Sequence, residues 1–91
     1  MAAHWNITVQ GLVQGVFYRK YAEEMALKLG LLGFVMNKSD GSVYIEAEGK
    51  EEDLQKMVDW CWKGSPKSKV DDVKVKEGEL KGFSNFQIHR I

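Results

Sequence analysis

The stretch Ile7-Thr8-Val9-Gln10-Gly11-Leu12-Val13-Gln14-Gly15-Val16-Phe17-Tyr18-Arg19-Lys20-Tyr21-Ala22-Glu23-Glu24-Met25 contains the change of period that decides the fold. Up to Val13 the chain alternates, with Ile7, Val9 and Val13 on one face, which reads as a half-buried strand. From Tyr18 the period becomes helical. Tyr18, Tyr21, Ala22, Met25, Ala26 and Leu29 make an apolar stripe, and Lys20, Glu23, Glu24 and Lys28 fall opposite it on a solvated face. Gly30 suits the helix stop, where a left-handed residue is needed.

Working outward, Leu32 to Lys38 is apolar and β-prone, and Val43, Ile45 and Ala47 alternate with Tyr44, Glu46 and Glu48. Ser39-Asp40-Gly41 between them signals a hairpin turn. Gly49 is expected to open a second helix, with Glu51, Glu52 and Asp53 in the first turn, where carboxylates complement the helix dipole. Leu54, Met57, Val58 and Cys61 are its buried stripe, and Gly64-Ser65-Pro66 ends it. Val73 and Val75 alternate in a further strand, and Phe86-Gln87-Ile88 reads as a short edge strand. The order β-α-β-β-α-β plus a terminal strand is that of an α+β, ferredoxin-like split βαβ sandwich. It predicts an antiparallel sheet of four to five strands with both helices on one face. Such a fold hosts many unrelated activities and assigns none.

Composition narrows the classes. A chain of 91 residues implies one domain, 1–91. Thirteen basic residues cancel thirteen acidic ones, so no global field collects nucleic acid. An RNA-reading sheet would need exposed strand aromatics and a basic surface, and Tyr44 is the one clear outward aromatic. A single cysteine excludes an internal disulfide and any multi-cysteine metal site. Apolar runs are too short to span a membrane, and the start lacks the pattern of a signal peptide. The expectation is a cytoplasmic protein, monomeric, with no metal, cofactor, nucleic-acid or membrane partner.

Two stretches carry chemistry. Gly11 to Arg19 runs from a strand end through a glycine-containing loop into a helix start. Successive backbone N–H groups there converge, and the helix N-terminus adds partial positive charge, making an anion cradle. The planar guanidinium of Arg19 can grip two phosphate oxygens at once. The plainer reading is a common strand–turn–helix junction with a solvated arginine. Neither a P-loop nor a dinucleotide fingerprint is present. In the second stretch, Asn37 stands late in an apolar strand, where asparagine is depleted. Its amide can hold a water or a carbonyl, or it simply caps the hairpin. Cys61 has no arginine at the spacing a cysteine phosphatase needs and sits on a core stripe. Glu46 and Glu48 read as a solvated strand face. His4 and His89 would approach each other only if the first and last strands are neighbours.

Taken together, Val13-Gln14-Gly15-Val16-Phe17-Tyr18-Arg19 resembles the first signature of the acylphosphatases. Gly33-Phe34-Val35-Met36-Asn37, followed by Gly41, Val43 and Gly49, resembles their second. The Gly64-Ser65-Pro66 turn and the ending Phe83-Ser84-Asn85-Phe86-Gln87-Ile88 are similar too, so the likeness covers essentially the whole chain. One position departs. Tyr18 stands where the family usually has phenylalanine, and its hydroxyl requires a partner if buried.

The resemblance implies hydrolysis of acyl phosphates to a carboxylate and inorganic phosphate, without metal, cofactor or phosphoenzyme. Backbone N–H groups of Gln14, Gly15, Val16, Phe17, Tyr18 and Arg19 would bind the phosphoryl group. Arg19 would neutralise its charge, and Asn37 would position the attacking water. Inorganic phosphate would be both product and competing ligand. The alternative is a non-catalytic module of the same fold that binds a phosphate-containing metabolite.

Overall fold

In a computed structural model, which describes residues 2–90, seven elements follow one another as β1 (Ala2–Leu12), α1 (Tyr18–Lys28), β2 (Leu32–Asn37), β3 (Val43–Lys50), α2 (Glu51–Lys63), β4 (Lys69–Gly78) and β5 (Phe86–His89). The strands form one sheet in the order β4-β1-β3-β2-β5. The first four pair antiparallel, as the split βαβ order predicts. The alternating residues Ile7, Val9, Val35, Val43, Ile45 and Ala47 are fully buried in one core. Helix α1 meets them with Tyr18, Ala22 and Ala26, and α2 with Leu54, Met57, Val58 and Cys61. The small side chains of Ala22 and Ala26, one turn apart, let α1 lie close to the sheet.

Two boundaries differ from the expected ones. Gly49 remains in β3, which continues to Lys50, and α2 starts at Glu51 with no intervening loop. Strand β1 ends at Leu12, opposite Lys69 where β4 begins, and its pairing with β4 slips between Gln10 and Gly11. Gly11 has φ 132° there, and a Cβ on it would collide with the Lys69 carbonyl oxygen. This bulge bends the strand into the loop before α1.

Strand β5 departs from an all-antiparallel sheet, since it pairs parallel to β2, with Gly33 opposite Phe86 and Met36 opposite His89. The cause is the route of the connection. From β4 at one edge to β5 at the other, the chain crosses four strand spacings, about 19 Å. Residues 79–85 reach about 25 Å at full stretch, so they run nearly straight across one end of the sheet. A strand that starts from the end where β4 stops must run alongside β2 in the same direction.

This crossing segment covers the helix-free face and buries groups expected in solvent. Glu46 and Glu48 are only 7% and 5% exposed. Backbone N–H groups of Lys81, Gly82 and Phe83 donate to the Glu48 carboxylate, and Lys81 Nζ donates to Glu46 Oε1 at 2.8 Å. His4 is buried beneath, 2.7 Å from both Glu48 Oε2 and Asn6 Oδ1, with the Phe83 ring stacked on it. His89 lies instead against Phe34, at 4.4 Å between ring centroids. The two histidines do not meet, because β3 and β2 separate β1 from β5. Tyr44 is half-buried and its hydroxyl donates to Glu46.

Candidate active site

The loop between β1 and α1 lies at the opposite end of the sheet from that crossing. Gly15 (φ 74°) and Phe17 (φ 61°, ψ 23°) both take left-handed backbone conformations. Phe17 is the one non-glycine described residue that does so, and its ring is 72% exposed. A left-handed L-residue costs about 1–2 kcal/mol and persists only where surrounding contacts impose it. Alternating backbone handedness turns consecutive N–H groups toward one point.

The helix start is left open. Phe17 makes no side-chain cap, the first turn holds no acid, and the ladder begins with Tyr21 N–H donating to the Phe17 carbonyl at 3.2 Å. The N–H groups of Tyr18, Arg19 and Lys20 precede that ladder. By contrast, α2 places Glu51, Glu52 and Asp53 at its own start. The α1 terminus is therefore the one whose first turn carries no acid to complement its partial positive charge.

Two tethers hold the loop in shape. Gln14 Nε2 donates to the carbonyls of Lys38 (2.8 Å) and Ser42 (2.9 Å), fastening it to the β2–β3 turn. That turn is closed by Asp40, which accepts from Ser42 N–H and Oγ–H. These hydrogen bonds hold the Asp40 carboxyl below its ordinary range. On the other side, Ser65 Oγ donates to the Val16 carbonyl at 2.8 Å.

A cavity of about 500 Å³ opens over the loop, lined by Gly15, Phe17, Tyr18, Arg19 and Asn37 among the residues expected to form the site. Gln14 and Val16 do not line it. Their groups described above face the tethers. Tyr18 presents little to it, being 1% exposed, and its hydroxyl is satisfied inside the protein by the Cys61 carbonyl at 2.8 Å. Burial, with that contact, pushes the phenol far above its ordinary range. Cys61 is fully buried, and its thiol is pushed up to about 12, so it stays protonated within the core.

Asn37 closes β2, half-buried, and its Oδ1 is buried without a hydrogen-bond partner among the described residues. An asparagine that merely capped the hairpin would be bonded to it. The lining also holds residues the sequence reading had not placed there: Val13, Lys20, Glu23, Ile88 and Arg90. Glu23 stands one turn beyond Arg19 on α1, a spacing that could have revealed it. Arg90 carried no such signal, because the parallel pairing of β5 is what brings Ile88 and Arg90 to this cavity.

Comparison with known proteins agrees with this geometry. The family model described as Acylphosphatase matches residues 5–88. The acylphosphatase of Shewanella amazonensis is 49% identical over 73 residues, covering 80% of each chain. That of Bacillus licheniformis is 49% identical over 85 residues, covering 92% of this chain and 94% of its own. The crystal structure of acylphosphatase from Bacillus subtilis superposes with a TM-score of 0.94 at 43% identity, covering 98% of this chain and 99% of that one. With two signatures converging on one cavity and a match over nearly its whole length, this chain belongs to the acylphosphatase family.

Proposed function

We propose that the protein hydrolyses acyl phosphates by direct attack of water on phosphorus, with no metal and no phosphoenzyme. The observation that carries the reading is one cavity lined by both Arg19 and Asn37 above an uncapped, acid-free helix start. Backbone N–H groups of Gly15, Phe17, Tyr18 and Arg19, which line the cavity, hold the phosphoryl oxygens, and Arg19 offsets their charge through a two-pronged contact. Asn37 holds the water opposite the acyl oxygen. The water oxygen bonds to phosphorus as the bond from phosphorus to the acyl oxygen breaks. The carboxylate leaves with that electron pair, and the water proton passes to a phosphate oxygen. A carboxylate is a good leaving group, so positioning and charge stabilisation suffice without a strong base.

Inorganic phosphate is product and competitive ligand. The unit acts as a cytoplasmic monomer of one domain, without a nucleic-acid or membrane partner. No described helix is long and apolar enough to cross a membrane. Membership of a family of hydrolases favours turnover over a module that only binds.

The test is hydrolysis of benzoyl phosphate in the presence of chelator. Arg19→Ala is expected to lose turnover and phosphate binding together, by roughly a hundredfold or more in kcat. Asn37→Ala is expected to lower kcat while phosphate still binds. Near-normal turnover in Arg19→Ala, or turnover abolished by chelator in the native protein, would overturn the assignment.

A further inference from the structure

The strain in the loop between β1 and α1 is concentrated at one peptide. Phe17 holds φ 61°, a left-handed angle that a bulky residue keeps only under an imposed constraint. The Val16–Phe17 peptide is trans, so the Val16 carbonyl and the Phe17 N–H point in opposite directions across one rigid plane. Turning that plane over changes ψ of Val16 and φ of Phe17 and little else. The flip would return Phe17 to negative φ, take its N–H out of the cradle and set a carbonyl oxygen in its place. The strained orientation is the one a phosphoryl group needs, and the relaxed one would repel it.

What opposes the flip comes from a distant turn. Among the described residues no backbone N–H donates to the Val16 carbonyl, because the ladder of α1 starts one residue later, at Phe17. Its partner is Ser65 Oγ at 2.8 Å, 49 positions along the chain. Ser65 is 3% exposed, and the turn around it is fixed from both sides. Gly64 N–H donates to the Trp60 carbonyl at 2.7 Å, and Ser68 donates to the Ser65 carbonyl through its N–H (3.0 Å) and its hydroxyl (2.8 Å). Pro66 stiffens the backbone between them. Gly64 lies so close to its neighbours that a Cβ on it would collide with Ser68 Oγ and press on the Tyr18 ring. From this rigid turn the hydroxyl of Ser65 reaches the face of the loop away from the cavity, which Phe17 lines and Val16 does not.

We propose that Ser65 is a positioning residue for the phosphoryl site: its hydroxyl locks the Val16–Phe17 peptide with the N–H toward the cavity, against the strain at Phe17. This rests on the acyl phosphate reading of the site. Ser65 acts through that one peptide and not on the substrate. By drawing on the carbonyl, the hydroxyl also polarises the amide and strengthens the N–H as a donor at its other end.

The experiment titrates inorganic phosphate into isotope-labelled protein and follows the Phe17 amide by NMR. In the native protein that amide is expected to shift as phosphate binds. Ser65→Ala is expected to bind phosphate about tenfold more weakly, since the strain of a left-handed residue then sets the fraction of loops with the N–H inward. Its kcat/KM for benzoyl phosphate falls in step. In a Phe17→Gly background neither orientation is strained, so the same serine substitution is expected to weaken binding only about twofold, by halving that fraction. A serine that merely held the fold together would lower Tm in both backgrounds and leave the affinity of the folded molecules unchanged. Native affinity in folded Ser65→Ala, or an equal loss in both backgrounds, overturns the inference. A native Phe17 amide that phosphate leaves unmoved overturns it too, whether or not the variant folds. If the native protein neither binds phosphate nor hydrolyses benzoyl phosphate, it is the acyl phosphate reading that fails, and the inference falls with it.

Discussion

At the scale of single residues, Tyr18 joins the site to the core. Its backbone opens α1 at the cradle, while its side chain passes inward between the helices, 5.0 Å from the Trp60 ring. There its hydroxyl donates to the carbonyl of Cys61, which lies in the last turn of α2, where carbonyls lack a helical partner. The tyrosine therefore satisfies the end of one helix from the start of the other. Tyr18→Phe removes the donor and leaves a buried acceptor unpaired, at a cost of about 1–3 kcal/mol. A fall of about 4–8 °C in Tm per kcal/mol is expected for a chain of this size, measured by thermal unfolding. A Tm within 1 °C of the native value would mean the hydroxyl contributes nothing. Phe17, next to it, shows what sequence reading does not reach. A phenylalanine carries no mark of positive φ, and the conformation is imposed by the tethers on either side of the loop.

At the scale of elements, the cradle works because it is fastened to the strand that carries Asn37. Gln14 Nε2 spans from the loop to two carbonyls of the β2–β3 turn, just past Asn37. Gln14→Ala cuts both bonds while leaving the backbone N–H groups in place. The expected result is a kcat/KM for benzoyl phosphate about tenfold lower or more, because misplacement of reacting groups by 1 Å can cost a hundredfold. Unchanged turnover at unchanged stability would show that the loop keeps its shape without this bridge. Gly15→Ala tests the same element from within. Its φ of 74° strains any side chain, although a Cβ would meet nothing within 4 Å. The expected loss is about 1–2 kcal/mol of stability, seen by denaturant unfolding, together with weaker phosphate binding. The elements themselves were largely legible. Period and glycine punctuation locate α1, α2, the hairpin and β4, because each of those signals is local. A glycine at position 49 suggests a loop, whereas it stays in β3, where a Cβ would collide with the Leu31 side chain. Arg19 and Asn37 were legible as a pair through the spacing of the two signatures. Lys20 and Glu23 were assigned to a solvated face because helical periodicity shows which side avoids the core, not what faces that side.

At the scale of the whole molecule, the sheet separates the site at one end from a buried ionic cluster at the other. Glu48 sits five residues along β3 from Val43, which pairs with Asn37, a distance of about 17 Å. The cluster was invisible in the sequence because alternation alone cannot tell a solvated face from one covered by a distant segment. Residues 79–85 supply that cover. Burial by itself raises the carboxyls of Glu46 and Glu48. For Glu48 the N–H groups of Lys81, Phe83 and Gly82 and the His4 ring outweigh it, and for Glu46 Lys81, Tyr44 and His4 do so. Both are thereby held below the ordinary glutamate value of 4.5. A carboxyl with a depressed pKa in the folded state stabilises the fold above its unfolded value. That contribution is lost as pH falls through the folded value. The native Tm is therefore expected to hold at neutral pH and to drop as the pH is taken below about 4.5. Glu48→Gln keeps the shape but replaces a charge that four donors surround, so it is less stable than the native protein at pH 7. The gap between the two narrows as the pH falls through the folded-state value of Glu48. Hydrolysis per folded molecule at pH 7 should stay close to native, because the cluster and the cavity share no residue. A difference in Tm that stays the same all the way down to acid unfolding would show that the carboxylate's charge is not what holds the crossing segment down. A loss of turnover without a loss of stability would show instead that this segment, which leads directly into β5 and Arg90, transmits its position to the site.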